Sequence, residues 1–153
     1  MGPKPTGAED LAAAGRLTLV GVGPGDPQLL TLAAVSAISQ ADVVAYPVAR
    51  PGGEGMAATI AAPWIRPDQQ RLPLHFPMVV EAQPRLEAWH AAADALAAAV
   101  QAGRRVVLLC EGDVSLFATG SYVLLALRRR HPHCPVALIP GVPAVCAAAA
   151  AGA

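Results

Sequence analysis

The stretch LTLVGVGPGDPQLLTL (residues 17–32) runs from an apolar segment through three glycines into a proline-led helical pattern. A glycine loop between strand and helix brings bare backbone close to a ligand, and the first chemistry to weigh is phosphate binding. A dinucleotide loop needs G-x-G-x-x-G with free N–H groups aimed at the pyrophosphate. Here Gly21, Gly23 and Gly25 follow G-x-G-x-G, one residue short. Pro24 removes a donor from the middle of the turn, and Asp26 puts a carboxylate where the anion would sit. No lysine completes a Walker pattern. The next apolar segment ends in AYP, with Asp42 at its start instead of an acid at its end. The loop is a poor phosphate cradle. It suits a cationic, zwitterionic or flat ligand that needs close backbone approach.

A second loop, CEGDVSLF, places Glu111 and Asp113 directly after five apolar residues, and a third, PGVPA, follows the apolar VALI. Two roles stay open for each acid: binding or proton chemistry in a shared site, or capping of the helix that follows. HPHC (residues 131–134) has the look of a metal cluster. Its histidines are two apart across a proline with no second ligand group in view, so a polar loop is expected and no metal site. The three cysteines lack C-x-x-C spacing and read as small core residues in a reducing compartment.

Those loops need a scaffold. Short apolar runs at 17–22, 43–46, near 70–74, 105–110 and 136–139 have the length and continuity of strands buried on both faces. Helical patterns separate them: 27–39, with Asp26 as N-cap and Pro27 at the first position; 54–61; 85–102, with a stripe of Leu86, Trp89, Ala93, Leu96 and Val100; 116–130; and an alanine-rich segment after Pro143. Fivefold strand–helix alternation predicts an α/β domain with a mainly parallel five-stranded sheet and flanking helices. Residues 1–15 read as a loose leader and 16–153 as the domain. Ligands of such sheets gather beyond the carboxyl ends of the strands, where all three special loops emerge.

The zero net charge of the 153-residue chain gives no basis for nucleic-acid or anionic-membrane binding. Apolar residues at 54% against 14% charged mark a globular chain. No apolar leader or spanning segment is read in it, so a cytoplasmic protein is expected.

VGVGPGDPQLLTL, ADVVAYP, GRRVVLLCEGDVSLFATGSYVL and VALIPGVPAV resemble, in order and spacing, the tetrapyrrole (corrin and porphyrin) methylases. HFPMVVEA and EAWHAAA, between His75 and Ala93, resemble more narrowly the precorrin-2 C-20-methyltransferases of cobalamin biosynthesis. The resemblance implies a two-domain class III methyltransferase fold, of which this chain holds the N-terminal domain. Family members continue for about another domain, so the chain is expected to be a fragment that binds S-adenosylmethionine weakly and catalyses poorly or not at all.

By motif position the resemblance implies cofactor contacts from Pro24, Glu111, Gly112, Asp113, Leu116, Pro143 and Ala144. Substrate contacts fall to Gly21, Gly23, Gly25, Asp26, Tyr46, Pro77 and Met78. It also implies a tetrapyrrole substrate and a homodimer. The catalytic base is unassigned, with Asp26 and Glu111 the candidates. Arg50 and Arg66 are candidates for the substrate's carboxylates. Pro143 stands where relatives often carry Ser or Thr, and Val114 where proline is usual.

Overall fold

The computed structural model describes residues 15–114 and 119–152, and in them the five expected strands form one parallel sheet. β1 (Arg16–Gly21), β2 (Val43–Val48), β3 (Gln70–His75), β4 (Arg105–Cys110) and β5 (Val136–Ile139) lie in the order β3-β2-β4-β1-β5. Successive side chains point to opposite faces, so β1, β2 and β4 feed two cores at once, whereas the edge strands β3 and β5, expected to be buried on both faces, are mostly or partly exposed. Leu17, Leu19, Val43, Ala45, Val106 and Leu108 pack under α3 (Ala82–Gln101) and α4 (Thr119–Arg130). Val20, Val44, Val107 and Leu109 pack under α1 (Leu32–Gln40) and α2 (Met56–Ala61). Each fully buried Leu or Val contributes about 1.5–3 kcal/mol.

The strand order sets the position of the site. From β1 the chain leaves through α1 toward β2, while from the adjacent β4 it leaves through α4 across β1 toward β5. Neighbouring strands whose chains depart in opposite directions mark the ligand end of such sheets, at their carboxyl ends. The GVGPGD and CEGD loops emerge at that point.

The expected helix over 27–39 is two pieces. Asp26 Oδ1 accepts from Gln28 N at 2.9 Å and caps a single 3-10 turn, Pro27–Leu29. Leu30 is extended, and Thr31 Oγ1 then accepts from Ala34 N at 3.0 Å to start α1. Two cap residues five apart compete for one helix start, and the chain uses both. α3 begins three residues earlier than the expected 85, because Pro84 fits a first turn whose N–H groups have no intrahelical acceptors. Its residues 82–87 are exposed, so Leu86 drops out of the expected stripe. Trp89 is half-buried and stacks on Tyr122 of α4, ring centroids 4.4 Å apart.

Polar braces hold the amino ends of the strands. Gln69 is buried; its Nε2 donates to Ile38 O and Ala41 O at 2.7 and 2.9 Å, and its Oε1 accepts from Arg66 N. One amide side chain thereby satisfies the carbonyls that end α1. Asp42 accepts from the Arg105 N–H at 2.8 Å and from its guanidinium at 3.4 Å, joining β2 to β4. These bonds from Arg105, backbone first, hold the Asp42 carboxyl below its ordinary value of 3.8.

Beyond β5, α5 (Ala144–Ala151) buries none of its residues. Cys146, read as a core residue, is exposed for that reason, whereas Cys110 is buried and Cys134 half-buried.

Replacing Gln69 with Ala strands buried carbonyls and is expected to lower unfolding stability by about 1–3 kcal/mol in urea titrations. A loss under about 0.5 kcal/mol would show the carbonyls find other donors. Because the folded pKa of Asp42 is depressed, its contribution is complete above 3.8 and is lost as pH falls through the folded value. Asp42→Asn is therefore expected to flatten the acid limb of a stability–pH profile below pH 5; an unchanged limb would contradict this brace.

Candidate active site

At the carboxyl end of the sheet the three loops form one rim, built around a single carbonyl oxygen. Val22 N donates to Cys110 O at 2.9 Å, carrying the β1–β4 pairing one residue past the strands. Gly23 and Gly112 then form an antiparallel bridge, Gly112 N donating to Gly23 O at 2.8 Å and Gly23 N to Gly112 O at 3.2 Å. Gly112 turns with φ +64 and Gly23 with φ +82, a region side chains disfavour. A Cβ on Gly21 would sit 2.7 Å from Gly112 O, and one on Gly141 only 2.2 Å away. Gly21 and Gly141 thus close on the Gly112 carbonyl, where only glycine leaves the room, and Gly23 donates to it.

Asp113 adds a third tie. Its Oδ1 accepts from Gly141 N at 2.9 Å, linking the loop after β4 to the loop after β5. Pro143 stands over Gly112: its Cα would be 3.7 Å from a Cβ there. It is the N-cap of α5, offering its carbonyl to Cys146 N and Ala147 N at 3.1 and 3.3 Å. Pro24 is half-buried, while Gly25, Asp26, Glu111 and Ala144 are exposed. Gly25 has φ +146 and open space around a would-be Cβ.

The rim's charge is one-sided. Asp26, Glu111 and Asp113 lie within segments 21–26, 111–114 and 140–144, and those segments contain no lysine, arginine or histidine. Glycine loops edged by the exposed carboxylates of Asp26 and Glu111 fit a cationic ligand and disfavour a phosphate. Cys110, at the foot of the CEGD loop, takes no part in nucleophilic chemistry. Burial pushes its thiol up to about 12, so the thiolate is scarce at neutral pH.

The rim therefore gathers Gly21, Gly23, Pro24, Gly25, Asp26, Glu111, Gly112, Asp113, Pro143 and Ala144 along β4, β1 and β5. Leu116 lies outside the described residues. Tyr46 is elsewhere: half-buried on β2 with its ring edge against Gly55, it lines a hollow of about 320 Å3 beside α2 with Glu54, Thr59 and Arg71. Pro77 and Met78 follow the edge strand β3, three strands from β1, or about 14 Å at ordinary spacing. Met78 is 87% exposed. Arg50 is exposed in the loop after β2. Arg66 sits before β3 at the opposite end, its guanidinium held by Ser39 O and Asp68, which removes it from any role at the rim.

The amino end has a hollow of its own, about 430 Å3, lined among others by Val100, Arg130, His131, His133 and Cys134. His131 Nε2 and the Arg130 guanidinium both engage Asp94, at 2.7 to 2.9 Å, so the HPHC loop is strapped to α3. Among the described residues no three His, Cys, Asp or Glu side chains gather as a metal ligand set. The rim, at the other end, is the candidate site. Sequence reasoning missed Gly141 as a member of it; the glycine following Pro140 at a strand end was the available signal.

The sequence model of the Tetrapyrrole (Corrin/Porphyrin) Methylases matches residues 16–153, nearly the whole chain. The chain belongs to this family. It is 40% identical over 139 residues to a precorrin-2 C(20)-methyltransferase from Sinorhizobium sp., covering 86% of this chain and 55% of the relative. It is 31% identical over 138 residues to a cobalt-precorrin-2 C(20)-methyltransferase from Salmonella typhimurium, covering 89% and 56%. The crystal structure of uroporphyrin-III-C-methyltransferase from Thermus thermophilus is 31% identical and superposes with a TM-score of 0.63, over 90% of this chain and 53% of that one. The chain thus spans just over half the length of these relatives. Among the described residues no helix is long and apolar enough to cross a membrane.

A methyl group at Gly141 collides with backbone that cannot rotate away. Gly141→Ala is expected to cost about 1–3 kcal/mol by urea unfolding. A cost below about 0.5 kcal/mol would mean that the loops part freely, contrary to a closed rim.

Proposed function

We propose that this chain supplies the glycine-and-acid rim of an S-adenosylmethionine-dependent methyltransferase acting at C-20 of precorrin-2 or its cobalt-containing counterpart. The observation that carries the reading is the rim itself: close-packed glycine backbone from three adjacent strands, carrying carboxylates and no cation. The ring position draws support from the names of the Sinorhizobium and Salmonella relatives and from Phe76-Pro77-Met78, which resembles the C-20 subgroup.

When bound, S-adenosylmethionine supplies an electrophilic methyl group on a positively charged sulfur. The exposed carboxylate of Glu111 and the acid-edged backbone at Gly23–Asp26 favour that charge. Gly112, Asp113, Pro143 and Ala144 form the neighbouring wall for the donor. Gly25, exposed with open space around it, lets a flat macrocycle approach the donor, while Gly21 and Gly23 are buried and pack the rim itself. Displacement at a methyl group asks for alignment and exclusion of water, and effective molarity alone is worth up to ~7–11 kcal/mol in ideal cases. Loss of the C-20 proton calls for a base. Asp26 and Glu111 are the carboxylates at the rim, and Glu111 is the better placed, since Asp26 spends an oxygen on its own helix cap. Arg50, beyond β2, would meet a carboxylate of the macrocycle, with Tyr46, Pro77 and Met78 along the same side. A homodimer in the cytoplasm belongs to the same reading.

A second ring position is the competing reading, favoured by the likeness to the Thermus uroporphyrin-III-C-methyltransferase. The test is calorimetric titration with S-adenosylmethionine of this chain and of a chimera carrying residues 16–153 followed by the remainder of the Sinorhizobium relative. Precorrin-2 and a 13C-methyl-labelled donor are then added. Weak binding by the chain, firm binding by the chimera and a 13C label at C-20 are expected. Label at another carbon would overturn the ring position, and a folded chimera that ignores the donor would overturn the reading as a whole.

A further inference from the structure

The geometry points to Asp113 as a positioning residue: its carboxylate clasps the loop after β5 onto the loop after β4, and its service to the donor is as a hydrogen-bond acceptor and not as a negative charge. This rests on the proposed donor site but reads its acids differently, since motif position alone would set Glu111 and Asp113 side by side against the ligand.

The two acids are separated by Gly112, whose φ of +64 reverses the chain between them. Glu111 is left exposed, while Asp113 is half-buried with Oδ1 at 2.9 Å from Gly141 N. The need for the clasp follows from the sheet. β5 is an edge strand of four residues paired with β1, and the bond from Leu17 N to Pro135 O sets the alternate residues 137, 139 and 141 with their amides on the β1 side. Gly141 N is the first of these amides beyond the strand, and Asp113 accepts it. The packing requires the loops to close tightly as well: Gly141 lies against Gly112 O and the Gly21 backbone, contacts that dispersion alone would hold loosely at a sheet edge. With the clasp made, Pro143 is held over Gly112, so the β4 and β5 loops present one continuous wall.

The test compares Asp113→Asn, which keeps an acceptor oxygen without the charge, with Asp113→Ala, which keeps neither. Amide hydrogen exchange at Gly141 in the chain is the first readout, and the dissociation constant for S-adenosylmethionine in the chimera above is the second. Leu19 and Leu108, in the middle of β1 and β4, report whether the sheet itself is intact. For Asn, Gly141 protection and donor affinity are expected within about threefold of the parent; for Ala, both fall about tenfold with Leu19 and Leu108 unchanged. Equal loss of donor affinity in Asn and Ala with Gly141 still protected would overturn the proposal, because charge would then be what matters. Unchanged Gly141 exchange in Ala would overturn it too. A parent chimera without donor affinity would sink the donor site, and the Gly141 exchange would still decide the clasp.

Discussion

The carbonyl oxygen of Gly112 sits where three other glycines leave room for it, and the architecture of the rim follows from that fit. Gly21 and Gly141 approach it so closely that a single added carbon on either would overlap it, and Gly23 donates to it. Gly21 and Gly23 are thereby buried, Gly112 and Gly141 are half-buried, and the rim's exposed glycine is Gly25. Glycine loses more conformational freedom on folding than any other residue, so concentrating four of them at one point is costly to stability. The cost is offset by the sheet beneath, where β1 is paired on both sides and Leu17, Leu19 and Val20 are fully buried.

The two ends of the sheet differ in kind. At the amino end the acids have basic partners: Asp42 with Arg105, Asp68 with Arg66, and Asp94 with Arg130 and the His131 ring. At the carboxyl end three acids gather without a basic side chain in the same loops. Ion pairs at partly exposed positions add little stability each. At the rim the acids are set among glycines instead. For the proposed S-adenosylmethionine donor, acid-edged surroundings favour the positive sulfur.

Much of the fold was legible in the residues. β1, β2 and β4 were visible as continuous apolar runs, because a strand covered on both faces cannot alternate with polar residues, while the edge strands β3 and β5 carry weaker runs and are largely open to solvent. Helix boundaries were less so. Asp26 and Thr31 both satisfy the requirements of an N-cap, and local chemistry does not say that each will be used. The exposure of Leu86 and Cys146 was hidden because periodicity shows which face of a helix is apolar but not how far the sheet beneath it extends. Gln69 was invisible: a glutamine in a polar loop has no mark until the end of α1 is brought over it.

The candidate site divides along the same line. From the residues alone came the three loops, their glycines and acids, and the argument against phosphate, since proline at a donor position and a carboxylate at a helix start are properties of local covalent structure. Only the tertiary structure brought Gly23 against Gly112, moved Tyr46 and Arg66 away from the rim and gave Asp113 a partner in Gly141. Those relations depend on strand order, and strand order is set by how two cores pack on opposite faces of one sheet. No local pattern encodes that choice, because every buried parallel strand carries the same apolar signature whichever neighbour it will pair with.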